Sequence, residues 1–213
     1  MGEEFRMNQD SPNNDNDNND RYTRMVRGIT VCLVQGDISV QEAGALVNAA
    51  NSRLAGGGGV DGAIHRRGGP AIMEETNRRY PNGCPTGQAV ESGAGRLSAC
   101  HVIHAVAPRY SARRPDNAKL LLSAYGNSLR VAEECGCRSV ALPSLGTGAY
   151  AYPLRDASRI AMRAVRDFAE SSPEAVSEIR FVLFDSETLA AFATAMAEEL
   201  GQSGEEERKQ AGR

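Results

Sequence analysis

Val47-Asn48-Ala49-Ala50-Asn51 is followed, after four intervening residues, by Gly56-Gly57-Gly58-Gly59-Val60-Asp61-Gly62-Ala63-Ile64-His65. Ala45 to Ala49 reads as a buried strand, and a helical pattern runs from about Asp61 to Arg79, closed by Pro81. The passage is therefore strand, glycine run, helix. Glycine lacks a Cβ, so a run of it lets backbone N–H groups approach a ligand closely and take up positive φ. Beside a helix start, those groups and the helix dipole favour an anion. A second loop of the same kind, Leu145-Gly146-Thr147-Gly148-Ala149-Tyr150, lies between a strand at Ser139–Leu142 and a helix at Leu154–Phe168. Two such loops facing each other suit the two phosphates of a diphosphate.

Outward from these loops, strand and helix patterns alternate. Ile29–Val34, Ala89–Ser92, His101–Val106 and Glu178–Phe184 read as strands, and a short helical turn is expected near Val40–Ala43. Ala118–Cys135 is amphipathic, with Leu121, Leu122, Tyr125, Leu129 and Ala132 near helical spacing. In Leu154–Phe168 the inward set is Ile160, Ala161, Ala164, Val165 and Phe168, and Glu187–Leu200 is the last helix. This order predicts an α/β domain with helices on both faces of one sheet. In such sheets ligands bind outside the carboxyl ends of the strands. Residues 1–24, with the run NQDSPNNDNDNND, show no apolar periodicity and are expected to be a disordered tail. Residues 201–213, beginning at the helix-stopping Gly201, are expected to be a flexible charged tail, which leaves 25–200 as the domain.

Composition narrows the classes. With 213 residues, 41% hydrophobic, the chain can build one sizeable core. No stretch approaches a membrane span, and no apolar signal-peptide region is seen, which points to the cytoplasm. The net charge of −3 arises in residues 1–24, which hold six acids and three bases, whereas 25–200 hold 18 of each. A general basic field for nucleic acid is therefore not expected. The 22 arginines against 2 lysines are spread along the whole core, as a compositional bias would leave them. Cys32, Cys84, Cys100, Cys135 and Cys137 are odd in number and form no C-x-x-C pair, so neither a disulfide framework nor a metal site is expected. His101 and His104 flank Val102 and Ile103 in a strand and read as core histidines. Nothing demands more than a monomer, and no cofactor is implied.

Asp61 and His65 are four apart and share one helix face. An Asp at a helix start is often a cap or a dipole partner; beside an anion site it is also a candidate for catalysis or substrate orientation. Asn48 and Asn51, at the strand end, either make Asx-turns or point amides at sugar hydroxyls. Gly57 to Gly62 matches G-x-G-x-x-G, but four consecutive glycines make that match nearly automatic, and the loop follows the second strand. A Walker A loop is excluded because Gly-Lys-Ser/Thr is missing. No Ser-His-Asp or Cys-His arrangement is evident, so chemistry here would use activated water.

Taken together, Gln35-Gly36-Asp37-Ile38, Val47 to Asn51, Gly56 to His65, Thr86-Gly87-Gln88-Ala89, Val102-Ile103-His104 and Gly146 to Tyr150 with Tyr152-Pro153 resemble the macrodomains, and among them the MacroD-type branch, over about residues 27–200. The resemblance implies a three-layer α/β/α sandwich with a mixed central sheet and a cleft for ADP-ribose. It assigns Asp37, with Ile38 beside it, to the adenine. Asn51 goes to the distal ribose and is counted with Asp61 and His65 in the catalytic set, and Gly57, Gly58, Gly59 and Val60 go to the diphosphate and distal ribose. Asp61 is implicated in catalysis with His65 supporting it. Asn48, Ser144, Gly146, Thr147, Gly148, Ala149 and Tyr150 complete the expected ligand contacts. It implies removal of ADP-ribose from acidic side chains of proteins and deacetylation of O-acetyl-ADP-ribose. A reader of ADP-ribosylated proteins is the alternative from another class. A glycohydrolase acting on ADP-ribosyl nucleobases is less consistent, because that branch carries a lysine near the cleft and the core holds only Lys119. Gly146, Ala149, Ala151 and Arg67-Gly68 depart from the common pattern and bear on rate and substrate preference.

Overall fold

A computed structural model describes residues 22–201. The two tails expected from sequence fall almost wholly outside the described residues. The first strand, β1 (Thr23–Val26), straddles the domain start drawn at residue 25. It is followed by β2 (Ile29–Gln35), a 3-10 turn (Ile38–Val40), β3 (Ala43–Ala49), α1 (Gly59–Gly68), α2 (Pro70–Arg79), β4 (Ala89–Gly93) and β5 (Ala99–Ala105). The remainder is α3 (Asn117–Glu134), β6 (Ser139–Leu142), α4 (Leu154–Glu170), β7 (Glu178–Leu183) and α5 (Ser186–Leu200).

The seven strands form one mixed sheet in the order β1-β2-β7-β6-β3-β5-β4. β2, β7, β6, β3 and β5 run parallel, and antiparallel β1 and β4 close the two edges. The carboxyl ends of β2, β7, β6, β3 and β5 therefore emerge along one rim. Because side chains alternate across a strand, each central strand feeds two cores. Val31, Val47, Ile103, Val140 and Phe181 face α3, α4 and α5, packing against Leu121, Tyr125, Ile160, Val165 and Phe192. Leu46, Val102, Ala141 and Val182 face the other way, against Ile64 of α1, Ile72 of α2 and Ile38. The result is the three-layer α/β/α sandwich.

Local chemistry sets the element ends, and several differ from expectation. The single helix expected over Asp61–Arg79 is two. Gly69 takes φ +84°, and Pro70 opens α2 at a position where its missing N–H costs nothing. The helical turn sits at Ile38–Val40 rather than Val40–Ala43, because Asp37 caps it by accepting from the Ser39 N–H at 2.8 Å. Leu122 is only half-buried. The last strand ends at Leu183, leaving Phe184 82% exposed. Asp185 then caps α5 through the Thr188 N–H, at 2.7 Å, and Gly201 ends that helix at φ +70°.

Candidate functional site

β3 and β6 are hydrogen-bonded neighbours, with Leu46 opposite Ala141. The glycine run after β3 and the loop after β6 therefore stand side by side on the rim. Gly57, Gly58 and Gly59 are exposed, as are Gly148 and Ala149. Gly58 is the N-cap of α1 and carries no side-chain cap, so the first N–H groups of that helix have no intrahelical partner. Among the described residues, the N–H groups of Gly57, Gly58, Thr147, Gly148 and Ala149 meet no protein acceptor. Donors from both loops thus lie on one stretch of the rim, those of the first at a helix N-terminus, an arrangement suited to an anion.

The glycines play different parts. Gly58 and Gly148 do not use positive φ; a Cβ added at either meets no protein atom within 4 Å. Positive φ falls instead at Gly56 (+73°), Gly59 (+57°) and Gly146 (+81°), and also at Ala151 (+52°). The second loop does not open directly onto α4, as the sequence suggested. It closes on itself, with the Ala151 N–H donating to Gly148 O at 2.8 Å and the Tyr152 N–H to Gly146 O at 3.0 Å. Its root is held by fully buried Tyr125, whose hydroxyl donates to Pro143 O at 3.3 Å and accepts from the Leu145 N–H at 2.7 Å. Burial pushes the Tyr125 phenol far up, so it stays a donor. Thr147 Oγ1 reaches Ser144 Oγ at 2.9 Å, within the loop. Tyr150 lies under the guanidinium of Arg109, 5.0 Å from its ring centroid.

Asp61, in the first turn of α1, is 5% exposed. Its Oδ1 accepts from Asn48 Nδ2 at 2.6 Å, and His65 Nε2 lies 3.4 Å from the same oxygen. Its Oδ2 is buried without a hydrogen-bond partner. That oxygen lies beneath Gly57, where an added Cβ would come within 3.2 Å of it. Burial pushes the Asp61 carboxyl up, but the hydrogen bonds from His65 and Asn48, with the two nearby imidazoles, more than offset this and hold it below the usual value.

The two asparagines separate. Asn48 is fully buried and bonded to Asp61. Asn51 is committed to its own loop: its amide donates to Gly56 O at 2.8 Å, and its oxygen accepts from the N–H groups of Arg53 and Ala55. The turn reading therefore holds at Asn51, whereas Asn48 does neither: it is buried with its amide on Asp61 and His104, so the ligand contact expected of it is not made from this position. Val60 is half-buried beside the glycines.

Asp37 is exposed at the end of β2, while Ile38 is 3% exposed and packs into the α1-side core. Gln35 pairs with Leu183, so exposed Phe184 stands beside the Gly36-Asp37 turn. Sequence reasoning missed Phe184 because it continued the strand pattern by one residue. From β2 to β3 the rim crosses three strand spacings, on the order of 14 Å. The Asp37–Phe184 end and the glycine loops can thus hold two ends of one elongated ligand. Among the described residues, no group of three or more His, Cys, Asp or Glu could hold a metal ion, and all five cysteines are free. No helix is long and apolar enough to cross a membrane among the described residues.

Comparison with known proteins agrees with this arrangement. The family model described as Macro domain matches residues 47–161. A macro domain-containing protein of Streptomyces nogalater is 55% identical over 168 residues, 77% of this chain and 90% of that protein. An O-acetyl-ADP-ribose deacetylase of Salmonella newport is 43% identical over 171 residues, 78% of this chain and 94% of the enzyme. The Oceanobacillus iheyensis macrodomain with ADP superposes with a TM-score of 0.78 at 29% identity, covering 84% of this chain and 95% of that one. The Trypanosoma brucei macrodomain in complex with ADP-ribose gives 0.72 at 34% identity, covering 78% and 68%.

Proposed function

This chain belongs to the macrodomain family, and from that premise we propose that it binds ADP-ribose along the rim and hydrolyses acyl esters of it. These are O-acetyl-ADP-ribose and ADP-ribose joined to acidic side chains of proteins. The observation that carries the reading is the paired glycine loops, whose unspent N–H donors stand beside a buried, ionised Asp61 held by Asn48 and His65. The names of two relatives support it: the Salmonella deacetylase and the Trypanosoma macrodomain in complex with ADP-ribose.

In this reading the adenine lies at the Asp37–Phe184 end. The Asp37 carboxylate accepts from the exocyclic amine, and the Phe184 ring offers an apolar face. The diphosphate takes the N–H groups of Gly57 to Val60 and of Thr147 to Ala149. The distal ribose then lies between the Asn51 loop and Tyr150. Hydrolysis requires a water aimed at the ester carbonyl carbon, and holding it in place supplies much of the rate. Asp61 Oδ1 is occupied, and Oδ2 is closed off beneath Gly57. The geometry therefore favours a water polarised by the substrate's diphosphate. Asp61 underlies the Gly57 backbone, and His65 steadies Asp61. For Asp61 to abstract the proton itself, the Gly57–Gly58 backbone must lift; the positive-φ glycines 56 and 59 bracket that segment.

The closure of Oδ2 also favours a second reading, a module that binds ADP-ribosylated proteins without cleaving them. One experiment separates the two. The full chain is incubated with glutamate-linked mono-ADP-ribosylated protein and with O-acetyl-ADP-ribose, and released ADP-ribose is measured. Release from either substrate, lost in Asp61→Ala, supports the hydrolase. Tight ADP-ribose binding with no release from either supports the reader. No ADP-ribose binding defeats both. In heavy-oxygen water, label should enter the released carboxylate and not the ribose.

A further inference from the structure

Behind Asp61 lies a column of polar side chains, of which the reaction as described uses only Asn48. Asn48 of β3, His104 of β5 and Ser92 of β4 are each at most 1% exposed. They lie on the sheet face that carries Leu46 and Val102, an apolar layer otherwise packed against α1 and α2. Asn48 and His104 are direct partners in the β3–β5 register. The contacts run Ser92 Oγ to His104 Nε2 at 2.9 Å, His104 Nδ1 to Asn48 Nδ2 at 3.2 Å, and Asn48 Nδ2 to Asp61 Oδ1 at 2.6 Å.

With Asp61 ionised, one placement of hydrogens pairs every contact along the column, leaving Asn48 Oδ1 buried without a partner. The Ser92 hydroxyl donates to Gly93 O at 3.1 Å, so toward the ring it accepts. His104 must then carry its proton on Nε2, which leaves Nδ1 bare as an acceptor. Burial, with His65 nearby, holds this imidazole down at about 4, so it is neutral at physiological pH. A bare Nδ1 takes one Asn48 N–H, and the second N–H goes to Asp61. The reverse amide orientation would set the Asn48 oxygen against the carboxylate, which repels it.

We propose that His104 and Ser92 are positioning residues for the reaction at this cleft. They fix the hydrogen direction of Asn48, which holds Asp61 as an anion with Oδ1 occupied and Oδ2 turned beneath Gly57. This rests on the hydrolase reading. The chain links β4, at the sheet edge, to the floor of the glycine loop through four side chains. The titratable groups facing Asp61 are His65 on its own helix and His104 from β5. The carboxylates of Glu75 on α2 and Glu91 on β4 act on His104 from further off.

The test compares native chain, Ser92→Ala, His104→Asn and His104→Leu. For each, kcat and KM on O-acetyl-ADP-ribose are followed from about pH 4.5 to 8, with Kd for ADP-ribose by calorimetry. His104→Leu removes the acceptor for Asn48. It should lose roughly 10- to 100-fold in kcat, the equivalent of one hydrogen bond to a charged group, while Kd changes far less. Its acid limb should move to higher pH, because an Asp61 that loses the amide donor takes up a proton more readily. His104→Asn restores an acceptor at the Nδ1 position and should recover most of kcat. Imidazole nitrogen NMR should show the Nε2–H form in the native chain and a mixture in Ser92→Ala, whose kcat should fall roughly 3- to 10-fold. Native kcat and pH profile in His104→Leu, or an Nδ1–H imidazole in the native chain, would overturn the proposal. If His104→Leu does not fold, Ser92→Ala decides: unchanged kcat and tautomer overturn it. A native chain that binds ADP-ribose but releases nothing defeats the hydrolase reading and this proposal with it. An active native chain indifferent to these substitutions defeats the relay alone.

Discussion

Lowering the pH should destabilise this protein well above the carboxylate range, through His104. Its ring is 1% exposed and neutral, held down at about 4 by burial and by His65, against the opposing pull of Asp61, Glu75 and Glu91. Unfolded, the same residue takes a proton near 6.5. Between these values the unfolded chain binds one more proton than the folded one, so stability falls as pH falls. It is full above pH 6.5, declines through the window, and stops changing below about 4. Each tenfold difference in proton affinity is about 1.4 kcal/mol, so the complete window costs about 3 kcal/mol and the step from pH 7.5 to 5 about 2 kcal/mol. Asp61 adds its own loss only further down, because its carboxyl is held below the usual value. Urea unfolding at pH 7.5, 6 and 5 measures this directly, with the slope m checked for constancy. His104→Asn carries no titrating ring, so its stability should fall by about 2 kcal/mol less over the same interval. Parallel curves for the two proteins, within about 0.5 kcal/mol, would refute the assignment of a buried neutral imidazole at this position.

Other substitutions probe the cleft. Gly58→Ala should fold normally, since its Cβ meets no protein atom, whereas Gly58→Glu places an anion at the proposed diphosphate position and should abolish ADP-ribose binding with native circular dichroism; retained micromolar affinity would sink the two-loop cradle. Asp37→Asn keeps an oxygen to cap the Ser39 N–H but loses the anionic acceptor, and should weaken ADP-ribose roughly 10- to 100-fold by calorimetry. Phe184→Ala should weaken it as well while leaving the melting temperature unchanged, because the ring is already exposed; a drop in melting temperature with no loss of affinity would make Phe184 structural. Ala151→Gly removes a left-handed alanine worth about 1 kcal/mol of strain but adds a comparable freedom to the unfolded chain, so it should alter stability little; a destabilisation beyond about 1 kcal/mol would show that the Ala151 methyl packs.

Much of this was legible in the sequence because one physical rule governed each part. Six of the seven strands were legible as apolar runs, and the two loops as glycine between strand and helix; β1 was not, half of it lying in the stretch expected to be tail. What escaped needed a contact distant in sequence. The break at Gly69-Pro70 was written in the residues, yet the helical periodicity on both sides concealed it. Asn51 and Asn48 are three residues apart in one motif, and only the fold shows that one builds the loop while the other enters the core. Of the two histidines read as core, His104 is buried, but His101 is only half-buried and lies beside the Glu91 carboxylate. The connection of His104 to Asp61 runs through a strand partner 56 residues away in sequence, which periodicity cannot see. The parity of Leu46 with Asn48 and of Val102 with His104 put both polar residues on the α1 side. That pattern was available, but the pairing of β3 with β5 that gives it meaning was not.

The polar column bears on how such a site is tolerated at all. A buried carboxylate with one oxygen unpaired is costly unless its neighbours are fixed donors. Flexible donors would let the site relax by turning an amide or shifting a proton. Here each donor is locked by the next: Asn48 by the bare nitrogen of His104, and His104 by a serine already spent on Gly93 O. These residues sit on strands in the middle and at the edge of the sheet, not on the loops. The glycine loop supplies N–H groups; the charge beneath it is held from the sheet. In the hydrolase reading, the geometry around Asp61 is then set by the sheet rather than by the loops. On this argument, substitutions in the exposed loops should act mainly on affinity, and substitutions in the column mainly on turnover.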